Sequence, residues 1–506
     1  MSLSFSTMAA IRFGYGFRPG ETPPGSKDEL LNQVRVGAGA APSFPVGGIN
    51  RRHQQLLEQQ QRLKDIRNLD DQAKRDARKV IQRQSQELLR RDADARLMQA
   101  ALSPNGFYER LATFWTNHFS TSTSKSLPMR LLVPLYEAEA VRPHIGGSFR
   151  DLLRSATEHP AMLIYLDQAL SQGPDSPNGM KRKKGLNENL GRELLELHTL
   201  GAGSGYTQAD VRSAAMVLTG LTIDRSSMET TFRPGLAEPG EHDVLGVSYG
   251  GQRRTPGDNL ALLDDLAANP KTAQHVSRKL AVHFISDQPP QELVEAMAEA
   301  WKKTDGNLMA VYGAMLDHPD AWRNEGAKAR QPFDYIVTGL RALNTGDDDG
   351  NVGRFLEANE DTDDGDMIGQ DMSVGEKATE NMNGTEPVPM DTNDAADIKR
   401  RKAFRAARAL GAGALRRMGQ PIWQPPSPAG FEEGFDAWIT ASQLAERLAW
   451  ARRASAQFGA QQDPRQFLKA TLADAARDDT IRVVSQAPDR TSGLTLVLAS
   501  PEFNRR

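Results

Sequence analysis

The sequence predicts an all-α or nearly all-α protein, and three features point that way. Apolar residues recur every three or four positions over most of the chain, the spacing of one helical face. Pro and Gly gather between these periodic stretches and seldom fall inside them. Only residues 222–254, rich in Gly, Pro, Thr and Ser, lose the periodicity and suggest a small irregular or β element.

Taken in order, residues 1–51 form an irregular N-terminal segment after a short amphipathic start at Met8–Phe17. Residues 52–102 carry a weak stripe of Ile66, Leu69, Ala73, Ala77, Val80, Gln84 and Leu88, which predicts a long exposed helix or a helical hairpin. Ser103 and Pro104 break it, with Ser103 expected to cap the next helix. A helical core follows over 103–345, containing the 222–254 element. Within it, Thr207 and Asp210 have the spacing of a capping box. Residues 346–397 hold sixteen Asp and Glu against Arg354 and Lys377, and their low hydrophobicity predicts a disordered acidic insert. Asn359, Asp361 and Asp363 alternate as in a calcium loop, but Gly365 falls one place late and no closing glutamate follows. Residues 398–506 are expected to form C-terminal helices that pack on the core. Their last apolar run, Leu494–Phe503, is too oily to be left in water.

Composition excludes several function classes. Cysteine is absent, so disulfides, thiolate metal sites and cysteine nucleophiles are ruled out. No run approaches the roughly 20 apolar residues of a membrane-spanning helix. Removing the insert's charge of −14 from the total of −3 leaves a basic remainder, but its Lys and Arg are spread along helices with few aromatics between them. That pattern predicts solvated helix faces and no nucleic-acid partner. The first residues lack a signal-peptide pattern, so the expected location is cytoplasmic, or exported through a signal-bearing partner.

Several stretches, in order, carry a likeness. They are Phe114-Trp115-Thr116-Asn117-His118-Phe119, His159-Pro160-Ala161-Met162-Leu163 and Asn187 through His198. Gly205-Tyr206-Thr207-Gln208-Ala209-Asp210-Val211, Pro425 through Phe431 and Ser500-Pro501-Glu502-Phe503 complete the set. Together they resemble the domain of unknown function 1800 family over nearly the whole chain. The resemblance implies an α-helical bacterial protein, often exported, whose gene often neighbours that of a phosphatase- or sulfatase-like family. It carries over no activity and no catalytic residue set. Relatives usually place Gly and Lys after a His-Asp pair, whereas here His242-Asp243 runs into Val244-Leu245-Gly246-Val247-Ser248 with no lysine.

The segment Asn187–His198 is the richest in titratable groups. On a regular helix Glu188, Asn189, Arg192, Glu193 and Glu196 share one arc, and His198 falls about 140° from Glu193. One explanation is a solvated face with Glu188–Arg192 and Arg192–Glu196 pairs. The other turns Glu193 and Glu196 inward, where with His118 and His242 they would bind a divalent metal, or with His242 and Asp243 act as acid and base. The five residues are then expected to converge on one polar cavity. Walker, GxSxG, HExxH and GxGxxG signatures are missing. Two functions follow: a non-catalytic or scaffolding protein of the bacterial envelope acting with a partner, or a metal-dependent hydrolase-like enzyme.

Overall fold

A computed structural model of the chain describes residues 3–182, 185–323, 326, 328–344, 409–459 and 461–506. The acidic insert and the start of the helix expected after it lie outside the described residues.

Helix dominates, and the reasons are local. Ser26, Asp70, Ser148, Asn269, Asn307 and Asp489 each cap a helix by accepting a backbone N–H, satisfying donors the first turn leaves free. Thr207 and Asp210 form the capping box their spacing predicts. Ser103 differs. Its hydroxyl accepts from Asn105 N at 3.1 Å in a turn, and the next helix begins at Gly106 with Asn105 as its uncapped entry. Residues 27–38, expected to be irregular, form a helix, because Leu30 and Val34 share a buried face and Gly37 lets it lie against the Tyr108 ring.

The chain doubles back between helices Ile49–Asp65 and Asp71–Leu102. Arg52 pairs with Asp92, Gln59 with Ser85 and Arg62 with Gln84, a falling sequence of partners that makes the two helices antiparallel. The buried stripe of the second helix is Ile81, Ser85, Leu89, Asp92 and Arg96, one position beyond the expected Val80, Gln84 and Leu88. Adjacent apolar residues (Val80 beside Ile81, Leu88 beside Leu89) leave the phase open in sequence. The buried Arg52–Asp92 and Gln59–Ser85 pairs decide it.

Helix Pro332–Leu343 is the axle of the molecule, with every residue buried. It packs against Asp71–Leu102 on one side and Ala441–Phe458 on the other. Gly339 makes the second approach possible, since a Cβ there would stand inside the Trp450 ring. The C-terminal helix Arg490–Ala499 packs on Ala441–Phe458 and buries Leu494, Val497 and Leu498, with Phe503 just beyond. One hydrophobic cluster runs continuously from Ala9 to Phe503.

The 222–254 element is two small antiparallel hairpins. Strand β1 (Leu221–Ile223) pairs with β2 (Thr230–Phe232), and β3 (Gly240–Val244) pairs with β4 (Val247–Gly251). The β3–β4 turn places Leu245 and Gly246 at φ 55° and 81°, the positive values that a two-residue hairpin turn requires. Among the described residues three helices widen into π-turns, at Ala9–Phe13, Tyr136–Val141 and Leu194–His198. Among the described residues no helix is long and apolar enough to cross a membrane.

Candidate functional site

Two of the stretches singled out in sequence meet in space. Helix Gly106–His118 ends in Thr116-Asn117-His118, and the loop Pro425–Phe431 lies across that end. The Asn117 amide donates to Phe431 O at 3.0 Å and accepts from Phe431 N at 2.7 Å, copying a strand-like pair with one side chain. Gly430 stands at φ +84° directly against Asn117, where a Cβ would fall 2.5 Å from Oδ1 and 2.6 Å from the main-chain oxygen. Thr123 ties the other end of the loop by donating to Trp423 O through N (3.0 Å) and Oγ1 (3.2 Å).

Between these clamps lies a small pocket lined by Phe333, Trp423, Phe431, Thr116, His283 and Glu433, among others. The walls are held in place. The Trp423 indole and Arg96 Nε each donate to Glu137 Oε2 at 2.6 Å, and the Arg96 guanidinium stacks 4.8 Å over the Phe333 ring.

On the floor, His283 Nδ1 lies 2.7 Å from Glu433 Oε1 and its Nε2 3.2 Å from Arg110 Nη2. The guanidinium is always a donor, so Nε2 accepts and the ring proton sits on Nδ1 facing the carboxylate. Burial pushes the Glu433 carboxyl up, but His283, Lys328 and Arg110 outweigh it and hold the group below its ordinary value. Arg110 pairs with Asp334 and Arg96 with Glu137, while Lys328 pairs with Asp287 and also stands 3.9 Å from Glu433 Oε2. Glu433 Oε2 and the Thr116 hydroxyl are buried without a hydrogen-bond partner among the described residues.

His283 ends a stripe on helix Pro270–Phe284, where His275, Lys279 and His283 follow at four-residue intervals along one face. Opposite His275 and Lys279 lie His118 and the π-turn ending in His198. The His118 and His198 rings are 6.2 Å apart, and His118 Nε2 donates to His198 O at 3.1 Å. His118 Nδ1 and both nitrogens of His198 are buried without partners among the described residues. Burial, helped by the Lys279 charge, pushes His198 down to about 3 and His275 to about 4, and holds His118 well below its usual range. Burial pushes Lys279 itself down to about 8, against the opposing pull of Glu433.

The residues expected to converge are distributed differently. Glu193 closes helix Asn189–Glu193 and Glu196 lies in the π-turn. Burial and then the charge of Glu196 push the Glu193 carboxyl up. Glu196 is engaged with the Tyr206 phenol, which burial and this carboxylate push up together. Arg192 reaches back to Glu188 (3.3 Å) and across to Gln208 (2.9 Å), the bland explanation for part of this face. His242 and Asp243 sit on β3, opposite Tyr249 and Ser248, and not in a free loop. Burial and then Arg254 push His242 down. Among the described residues no three His, Asp or Glu side chains are gathered so as to hold a metal ion, the set His118, Glu193, Glu196 and His242 included. His118 meets His198 instead, on the buried face that Leu190 and Leu194 share with it. His283 and Glu433, 150 positions apart, left no joint signal in the sequence. The stripe of His275, Lys279 and His283 was passed over in the sequence, where the i, i+4, i+8 spacing was the one signal that could have found it.

A sequence profile of the family described as Protein of unknown function (DUF1800) matches residues 9–505. No curated protein and no solved structure matches the chain.

Proposed function

This chain belongs to the family described as Protein of unknown function (DUF1800), and we propose that it is a non-catalytic binding scaffold that holds a cationic, donor-bearing group in the Trp423 pocket. The observation that carries this is the state of the pocket's polar atoms. His283 has both nitrogens engaged, which suits positioning better than moving a proton. Glu433 Oε2 is a buried anionic acceptor whose ion-pair partner Lys328 stands at 3.9 Å, beyond hydrogen-bond reach, so its hydrogen-bonding capacity is unmet among the described residues. An ammonium or guanidinium group entering beside Trp423 would supply the missing donor.

A partner protein of the phosphatase- or sulfatase-like family, at the bacterial envelope, is the proposed source of that group. It rests on the family resemblance alone. The alternative, a metal-dependent hydrolase using Glu193, Glu196, His242 and Asp243, lacks a three-donor group among the described residues.

Binding of n-butylammonium, n-butylguanidinium and neutral butanol, followed by ligand-observed NMR, tests the proposal. The two cations should bind the native protein and lose at least tenfold in affinity to Glu433→Gln, a loss of about 1.4 kcal/mol or more. Equal binding of butanol and the cations would refute it. So would metal-dependent hydrolysis of an ester or phosphoester that His283→Gln abolishes.

A further inference from the structure

The unmet polar atoms of the Trp423 pocket define its occupant more narrowly than charge does. Several lining side chains spend their hydrogen-bonding capacity inside the protein. Asn117 Oδ1 accepts from Phe431 N, Gln420 Oε1 from Phe333 N and Gln331 Oε1 from Gln420 Nε2, each at 2.7 Å. Thr113 Oγ1 lies 2.8 Å from the Tyr15 hydroxyl, and Ser120 Oγ donates to Asn117 O at 2.8 Å. Among the described residues that line the pocket, two side-chain atoms are buried without a hydrogen-bond partner, Glu433 Oε2 and Thr116 Oγ1. Both can accept, and they do not bond each other. Lys328 stands 3.9 Å from Oε2 but directs its ammonium to Asp287 and to Glu433 O (2.8 Å). The pocket therefore asks for donors at two points.

The form of the donor follows from the other carboxylate oxygen. A guanidinium is recognised best as a planar fork that meets both oxygens of one carboxylate. Glu433 Oε1 is already taken by His283 Nδ1 at 2.7 Å, which leaves such a fork one oxygen to meet. An ammonium carries three donors that rotate about its last bond, so it can serve Oε2 and the Thr116 hydroxyl together. Phe333, Pro421, Ile422, Trp423, Pro425 and Phe431 give the same space an apolar lining that suits a methylene stem. We propose that the pocket selects a primary ammonium on an unbranched methylene chain, as in a lysine side chain or an alkylamine, over guanidinium and methylated ammonium groups. This selectivity rests on the cation-binding function proposed above, whose ligand class it names.

Ligand-observed NMR on the full chain compares n-butylammonium, n-butylguanidinium and n-butyltrimethylammonium, with Nα-acetyl-lysine methylamide as the side-chain form. The primary ammonium should bind at least about tenfold tighter than the other two cations, the effect of roughly one charged hydrogen bond. The tighter of n-butylammonium and the lysine derivative identifies the source, and either order supports the inference while that lead is kept. Thr116→Val should weaken n-butylammonium severalfold and leave n-butylguanidinium nearly unchanged, and Thr116→Ser should restore the loss. The comparison of probes uses the native protein, so a misfolded variant cannot obscure it. Guanidinium binding as tight as ammonium, with both still lost in Glu433→Gln, overturns this inference and leaves the cation-binding function standing. Trimethylammonium binding as tight as n-butylammonium overturns it too. Saturable binding of none of the probes, the result for a pocket that holds water alone, overturns both.

Discussion

Replacing Gly430 with alanine should damage the pocket at its hinge. The residue sits at φ +84°, where a side chain costs about 1–2 kcal/mol through the clash of Cβ with the following carbonyl. The added methyl also meets Asn117 Oδ1 at 2.5 Å and its main-chain oxygen at 2.6 Å, closer than atoms tolerate. Relief requires Asn117 to swing away, which breaks both of its hydrogen bonds to Phe431. Those are worth about 0.5–1.5 kcal/mol each. The total is about 2–5 kcal/mol, a large share of the ~5–15 kcal/mol that holds a protein folded. Gly434 is the control: its φ is −68°, ordinary for any residue, and nothing lies within 4 Å of a Cβ there. Gly434→Ala should be neutral or stabilise by ~0.4–1 kcal/mol through the unfolded chain. Urea denaturation of both variants decides the matter. Midpoints that agree within the error of ~0.5 kcal/mol would show that the Asn117–Gly430 contact is not the strained junction described above.

Asp92→Asn should cost about 3–5 kcal/mol in urea denaturation, because it strands the Arg52 guanidinium in a site where both side chains are 0% exposed. Arg52→Met with Asp92→Leu should recover most of that. His198 and His275 have folded pKa values depressed to about 3 and 4. Their contribution to stability is therefore present above about 6.5 and lost as pH falls towards those values, so His198→Asn should flatten the acid limb of a stability–pH curve. His53 is raised by its hydrogen bond to Glu139, so its contribution is present below about 6.5 and lost as pH rises through the folded value. His53→Ala should thus destabilise more at pH 5.5 than at pH 8.5, and the reverse ordering would refute the pairing. Truncation after Gly493 removes Leu494, Val497, Leu498 and Phe503, all at most 1% exposed. At about 1.5–3 kcal/mol per side chain the cooperative unfolding transition should disappear from calorimetry.

The fold class was legible because periodicity and caps are local. Thr207 and Asp210 lie three residues apart and need no tertiary information, and the apolar run at Leu494–Phe503 marks its own burial. The phase of helix Asp71–Leu102 was not legible, because polar partners from another helix choose between two adjacent apolar stripes. The pocket was half legible. Phe114–Phe119 and Pro425–Phe431 stood out as stretches, yet nothing in either says that one asparagine clasps the other. His283 and Glu433 were invisible, since a histidine and a glutamate so far apart acquire meaning only when the fold joins them. The π-turn at Leu194–His198 was not legible either, since no local signal in the sequence marks where a helix takes an extra residue.

That last difference reaches past one histidine. A π-turn is a helix carrying one residue more than its neighbours, and at Tyr136–Val141 and Leu194–His198 the surplus lies beside Glu139 and beside Glu196 and His198. Relatives whose helices stay regular there would be one residue shorter at each place. An alignment that spreads such a gap into the adjoining loops would compare the wrong faces of the helix from that point on. Titratable residues of equal role would then seem to be absent from one sequence or the other. Anchoring the gap inside the helix restores the register, and with it the comparison of what each relative places beside its own counterpart of Lys279.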